Sequence, residues 1–378
     1  MYNYYELTTR TSELYKILED DISRDIFWAR LKFDIAPSIA NILRAANVMR
    51  AISDEEYQRR CLWKNRFKAI MAKGDNILLY GSRGLGEYFA ASIFGDGGDF
   101  SGFCDDNFEH YPNGMLGKKV YSPQWLLEHA KTSYVVITAL THEKRIFNFL
   151  LSHHFPQEHI LTDFGGASGM AFPEQYFEFS NAFFPKGTAF IDAGCFDGHD
   201  SLRFAEWCCG DYSEIIALDP DPANFKNCRH ALKSLRNVRL MPAALGSTRS
   251  KATFFTWGSA GSRLASAMEN SIYTKPGYAE EIAVDVLPLD EIIGEDKVGF
   301  IKMDIEGAEL DALHGAKVLL QRDKPFLAVS VYHISGDMLA IMDYLHNLVP
   351  EYHFWLRHYT PSNCDTVLYA SINPETRQ

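Results

Sequence analysis

The feature that most constrains this 378-residue chain is a strand–loop–helix pattern at Phe190–Ser201, F-I-D-A-G-C-F-D-G-H-D-S. Phe190 and Ile191 read as a buried strand that runs into Asp192, Gly194 and Gly198 before a helix begins. Glycines at such a turn let backbone approach a ligand closely, and the helix N-terminus beyond them favours polar or anionic groups. A second apolar strand, Ile215–Leu218, ends in Asp219. That acid follows the glycine loop by about twenty residues, the interval at which nucleotide-binding α/β folds place an acid on the ribose hydroxyls. The carboxyl edge of this sheet is therefore expected to hold an adenosine-like ligand, with Asp219 on its ribose.

The dinucleotide fingerprint G-x-G-x-x-G lays a pyrophosphate on its glycines. Here Phe196 stands at the middle glycine position and would obstruct one. The spacing Asp192-x-Gly194-x-x-x-Gly198 instead resembles the first motif of S-adenosylmethionine-dependent methyltransferases with a Rossmann-like fold. Further segments strengthen that likeness: A-A-L-G at Ala243–Gly246, L-P-L-D at Leu287–Asp290, and F-I-K-M-D-I-E-G-A-E-L-D-A-L-H-G-A at Phe300–Ala316. With them the chain resembles the FkbM family of methyltransferases. The ending, with V-Y-H at Val331–His333, L-R-H-Y at Leu356–Tyr359 and T-V-L-Y-A at Thr366–Ala370, is similar to one subgroup of that family. Phe196 departs from the small or polar residue usual there. The resemblance spans roughly the last half of the chain. It implies S-adenosylmethionine as cofactor and methyl transfer to a hydroxyl of a sugar, a glycan or glycolipid precursor, or a polyketide-type metabolite.

Composition narrows the alternatives. A net charge of -12 argues against nucleic acid as a substrate, since phosphate recognition needs a basic surface. No apolar run reaches membrane-spanning length, and the N-terminus M-Y-N-Y-Y-E-L lacks the regions of a signal peptide. The seven cysteines form no paired C-x-x-C set, so a structural zinc site is not expected. Their odd number fits reduced thiols and a cytoplasmic location.

Four stretches follow along the chain. Residues 1–72 lack glycine and carry apolar residues at helical spacing, as in Leu14, Ile17 and Leu18, so they read as a helical N-terminal segment broken near Pro37. Thr11 or Ser12 could cap an early helix there. Residues 73–165 read as a small Rossmann-like α/β domain, with strands at Ile77–Tyr80, ending at Phe103–Asp106, and at Val135–Ala139. Ser122 is placed to cap a helix that begins at Pro123. The loop G-S-R-G-L-G at Gly81–Gly86 carries Arg83 where the dinucleotide fingerprint needs its second glycine, and Asp105 and Asp106 are candidate ribose acids. Residues 166–185 are an aromatic-rich linker, expected to pack between the two α/β domains or to line an acceptor cleft.

Residues 186–378 then read as a methyltransferase domain of alternating strands and helices. This is a doubly wound, mostly parallel sheet with an antiparallel end, interrupted by an antiparallel pair at Ala252–Trp257 and Glu281–Val286. The Ser/Gly-rich stretch Gly258–Ser271, with Arg263, reads as a lid or a plain surface loop.

Methyl transfer from a sulfonium is an in-line displacement, so the site must align the acceptor and take its proton. Asp192 is expected to orient the glycine loop or the methionine ammonium. Ala243 and Ala244 fall where backbone would read the adenine edge. Asp304 and Glu306 lie just past the strand Val298–Met303, at the edge where ligands of open sheets sit. Either could act as base or hold a divalent cation through oxygen, although no metal is expected. His333 ends the next strand, where a neutral imidazole would suit the abstraction of a hydroxyl proton. Glu309 and Asp311 read as ordinary first-turn helix acids, Lys302 as a snorkelling lysine, and Arg357 and His358 as surface or acceptor-site residues. The competing readings are an NAD(P)-dependent oxidoreductase working from the first α/β domain, and a non-catalytic protein that binds S-adenosylmethionine.

Overall fold

The computed structural model describes residues 4–36, 41–42, 54–82, 86, 89–90, 93, 98–139, 142–161, 175–181, 184–256, 261–270, 279–359 and 364–373. Two compact units emerge, one of Met1–Trp28, Pro173–His358 and Cys364–Gln378, the other of Ala29–Phe172 and Tyr359–Asn363.

The smaller unit is built on a parallel sheet of β1 (Asn76–Tyr80), β2 (Gly102–Cys104), β3 (Lys119–Tyr121), β4 (Ser133–Ile137) and β5 (Ile160–Leu161), in the order β3-β2-β1-β4-β5. Ile77 and Leu79 of β1 bury one face against Phe67 and Ile70 of the helix Asp54–Met71. Leu78 and Tyr80 bury the other against Leu126, Ile146 and Leu150, so β1 is apolar on both sides, as a central parallel strand must be. Ser122 caps the helix Pro123–Glu128 by accepting from Trp125 N at 3.1 Å, as the sequence predicts. Asp105 accepts from both Ser82 N (2.9 Å) and Ser82 Oγ (2.6 Å). Asp106 takes Tyr80 Oη and Arg145 Nη2, each at 2.8 Å. Both acids thus hold protein partners. Arg83 lies outside the described residues.

The larger unit carries β6 (Ala189–Ala193), β7 (Ile215–Leu218), β8 (Val238–Met241), β9 (Ala244–Leu245), β10 (Ser250–Thr256), β11 (Arg263–Leu264), β12 (Glu280–Leu287), β13 (Val298–Met303), β14 (Phe326–Ser330), β15 (His353–His358) and β16 (Thr366–Ser371). Seven of them form one sheet in the order β15-β16-β14-β13-β6-β7-β8. The strands from β14 to β8 run parallel, and β16 lies antiparallel between β14 and β15. Chain order reverses between β6 and β13, which opens a crevice at their carboxyl ends. A second sheet, β11-β10-β12-β9, pairs β10 antiparallel with β12 from Ser250↔Val286 to Thr256↔Glu280. The expected α/β class, with its antiparallel end, is what the chain adopts.

Several expectations change. The segment 1–72 is shared between the units. Its first helix, Tyr4–Lys16, runs straight through Thr11 and Ser12, so neither caps it. Leu18 then forms a bridge to Phe354, and Asp20 pairs with Arg357 at 2.9 Å. Arg357 is therefore no surface residue: it is fully buried between Asp20 and Glu178. His358 is equally buried, its Nδ1 2.8 Å from Thr366 Oγ1. The aromatics after residue 174 pack on the larger sheet itself. Phe177 meets Phe190 and Phe300, while Phe179 meets Phe326, Trp355 and Tyr369. The chain after Gly307 forms two helices, Glu309–His314 and Lys317–Asp323. The break falls at Gly315, where a Cβ would stand 2.1 Å from the Gly246 carbonyl oxygen.

Candidate active site

A cleft of about 790 Å³, counted to its open mouth, lies along the carboxyl ends of β6, β7, β8 and β13. It lies at the place where open α/β sheets bind small molecules and cofactors. Gly194, Asp219, Ala243, Ala244, Asp304 and Glu306 all line it. Asp192, Gly198 and His333 do not line it and sit behind its wall.

Gly194 has φ +78°, and a Cβ there would stand 1.9 Å from the Asp304 carbonyl oxygen. Glycine is needed because the β6 and β13 loops touch backbone to backbone. Gly198, at φ +84°, begins the helix His199–Trp207 and packs against Cys228 and Leu232. Between them Phe196 takes φ +47°, a strained conformation for a bulky residue, with its ring on the cleft. Its N–H donates to Asp219 Oδ2 at 3.0 Å.

Asp219, 6 % exposed, is aimed by three donors: Phe196 N, Asp221 N at 2.9 Å to Oδ1, and Asn224 Nδ2 at 3.3 Å. Burial raises its carboxyl to about 6 against the opposing pull of those hydrogen bonds. Each carboxylate oxygen has two lone pairs, so Oδ1 keeps acceptor capacity toward the cleft. A pre-oriented carboxylate beside the apolar Ala243, Ala244 and Leu245 fits a ribose with an adenine next to it. Asp221 caps the helix Pro222–Ala231 and accepts from Ser262 Oγ at 2.8 Å and from Thr256 Oγ1. The segment around Arg263 is thus pinned: Ser262 is tied down, Arg263 and Leu264 form β11, and Ala265–Asn270 is helical. Of the expected lid, residues 258–260 and 271 lie outside the described residues.

Lys302 reverses its reading as a snorkelling side chain. Only 2 % exposed, it donates to Asp192 Oδ1 (3.1 Å) and the Gly194 carbonyl (2.8 Å), and reaches Asp200 Oδ2 at 3.3 Å. Burial would lower its pKa, but Asp192, Asp200 and Asp304 outweigh burial and raise it. Asp192, also taking Ser201 Oγ at 2.6 Å, is thereby the anchor of a buried lysine.

Asp304 accepts Tyr176 Oη at 2.8 Å and Tyr332 Oη at 3.4 Å. Burial pushes its carboxyl up, yet His333 and Lys302 prevail and hold it below the usual range. Tyr176, at φ +69°, comes from the aromatic-rich stretch and also lays its ring 5.2 Å from Lys302 Nζ. Glu306 has φ +61° and pairs with Arg263, itself 4 % exposed. Glu309 is no ordinary helix acid: it is fully buried and accepts from Ile305 N and Gly307 N, both at 2.9 Å, which clamps the loop that presents Glu306. His333, 1 % exposed, has Nδ1 3.0 Å from Glu309 Oε1 and Nε2 3.4 Å from Asp304 Oδ1 and 3.5 Å from Glu306 Oε2. Burial would lower its pKa, but Glu309 and Glu306 raise it well above 6.5. The neutral ring expected of a base is not what these carboxylates favour.

Tyr176, Asp200, Lys302 and Glu309 are the residues sequence reasoning missed. For Lys302 the signal was a lone charge inside the otherwise apolar strand Val298–Met303, which demands buried partners.

Residues 192–354 match the family described as "Methyltransferase FkbM domain". The 2-O-methyltransferase NoeI of Sinorhizobium fredii (strain NBRC 101917 / NGR234) is 26% identical over 171 residues, which are 41% of this chain and 70% of that protein. Among solved structures, methyltransferase FkbM of Methylobacillus flagellatus KT aligns at 20% identity over 80% of this chain and 92% of its own, with TM-score 0.43. An rRNA methylase of Streptococcus thermophilus aligns at 16% identity over 52% and 92%, with TM-score 0.32. With the cleft, its aimed carboxylate and the matching domain together, the chain carries a domain of the FkbM family of S-adenosylmethionine-dependent methyltransferases over residues 192–354.

Proposed function

We propose that the protein is an O-methyltransferase whose acceptor is a hydroxyl of a sugar, a glycan precursor or a related secondary metabolite. The observation that carries this reading is the position of Asp304 and Glu306 on the same cleft as Asp219. A ribose-holding carboxylate and two acids able to face a second substrate then share one cleft. NoeI, a 2-O-methyltransferase by name, supports oxygen as the target atom. The net charge of -12 speaks for a small or glycan acceptor rather than nucleic acid. Among the described residues no helix is long and apolar enough to cross a membrane.

In this reading Asp219 accepts from the ribose, and backbone at Ala243 and Ala244 meets the adenine edge. Lys302, held by Asp192 and Asp200, fixes the Gly194 carbonyl at the head of the glycine loop. S-adenosylmethionine, when bound, supplies a methyl group made electrophilic by its sulfonium. Glu306 is the better placed to take the acceptor's proton. His333 and Lys302 hold the Asp304 carboxyl below its usual range, and two tyrosine hydroxyls already occupy it. Arg263 and the Glu309 clamp hold Glu306 in its left-handed backbone conformation, a local strain that the surrounding bonds must sustain.

The test is an acceptor screen with methyl-labelled cofactor against hydroxylated sugars and glycan precursors. Glu306→Gln should cut turnover by about 10²-fold or more while cofactor affinity stays within about twofold. Full turnover in Glu306→Gln would remove it from the chemistry.

A further inference from the structure

We propose that Asp304, Glu309 and His333 form a binding site for a divalent first-row transition cation at the back of the cleft. One ligand atom from each of the three lies within 4.8 Å of the other two. An acidic cluster alone would not suffice, since clustered acids commonly serve loops and caps. The second observation is the imidazole. His333 is 1 % exposed, and neither of its ring nitrogens makes a directed hydrogen bond, although carboxylate oxygens stand 3.0–3.5 Å away. Three carboxylates converge on that ring, counting Glu306. The positive charge among those carboxylates is the His333 ring itself and Arg263, so a divalent cation binding there takes the place of the ring's proton.

Donor chemistry sets the class of cation. One imidazole nitrogen with carboxylate oxygens suits Mn²⁺, Fe²⁺ or Zn²⁺ better than Mg²⁺, which favours oxygen alone. The backbone has prepared the place: Glu309 is locked by Ile305 N and Gly307 N, and Tyr176 steers Asp304 through its other oxygen. Of the three, Asp304 lines the cleft, so a bound cation would stand beside Glu306 at the acceptor's end. There it would draw the acceptor hydroxyl oxygen and ease its deprotonation. What the cation does rests on the reading of the cleft as a methyl-transfer site; whether it binds does not.

Mn²⁺ is the probe, titrated into chelator-treated full-length protein and followed by electron paramagnetic resonance of the free ion. S-adenosylhomocysteine affinity is measured on the same sample, so loss of metal binding and loss of the cofactor site are separate results. The expected outcome is one Mn²⁺ per chain, weakened by about tenfold or more in Asp304→Asn and in His333→Gln. Should either variant misfold, ¹⁵N-histidine spectra of the wild type replace it: Mn²⁺ should selectively broaden the His333 ring resonances. No stoichiometric binding, binding indifferent to both substitutions, or an unbroadened His333 ring would each overturn the site.

Discussion

Lys302 Nζ stands 3.1 Å from Asp192 Oδ1, with the lysine 2 % and the aspartate 0 % exposed. The pair bridges adjacent strands, since Lys302 of β13 and Asp192 of β6 are register partners. It joins the two halves of the sheet at the point where the cleft opens. A buried ion pair adds little net stability over an apolar isostere, but removing one partner strands the other. Lys302→Met should therefore cost about 3–5 kcal/mol, read from the shift of the urea unfolding midpoint. A midpoint unchanged from wild type would show the pair to be solvated.

Asp219 links stability to pH. Its folded carboxyl is raised from 3.8 to about 6 by burial. Between those values the folded state keeps a proton that the unfolded state has lost. Its contribution therefore declines as pH rises from about 4 to about 6, by about 3 kcal/mol in all, and stays level above that. Asp219→Asn should remove this decline from the difference between the two unfolding profiles, while weakening S-adenosylhomocysteine. Parallel profiles across pH 4–7 would contradict the assignment.

Gly194 is the tightest point of the frame. A Cβ there meets the Asp304 carbonyl oxygen at 1.9 Å and must adopt φ +78°. Gly194→Ala should cost upwards of about 2 kcal/mol and misplace Asp304. Near-native stability with unchanged cofactor affinity would mean that the two loops are less closely packed than described.

Arg263 and Glu306 couple the small second sheet to the β13 loop. Because both are largely buried, Arg263→Met should destabilise more than the double variant Arg263→Met with Glu306→Gln, which leaves no stranded charge. Strictly additive losses would show that the pair does not interact.

Much of this frame was legible from strand composition. Ile215–Leu218 and Val298–Met303 fall where the apolar runs put them, because strands covered on both faces read as continuous hydrophobic stretches. The cleft residues Gly194, Asp219, Asp304 and Glu306 were legible for a related reason: a strand end has a fixed place at the sheet edge. What escaped were partners distant in sequence. Tyr176 reaches Asp304 across 128 residues and Arg357 reaches Asp20 across 337, and no periodicity encodes such pairings. Glu309 was missed because a first-turn acid looks the same in sequence whether it meets water or clamps the preceding loop. Lys302 was misread by giving solvation the lysine that Asp192 and Asp200 share.

The central claim is that the cleft at the ends of β6, β7, β8 and β13 holds S-adenosylmethionine through Asp219. Calorimetric titration with S-adenosylmethionine, S-adenosylhomocysteine and NAD, on wild type and on Asp219→Ala, tests it most directly. The account predicts that both adenosyl ligands bind the wild type, that the variant weakens them by about tenfold or more, and that NAD does not compete. Adenosyl binding untouched in Asp219→Ala, or NAD binding with no adenosyl binding at all, would contradict it.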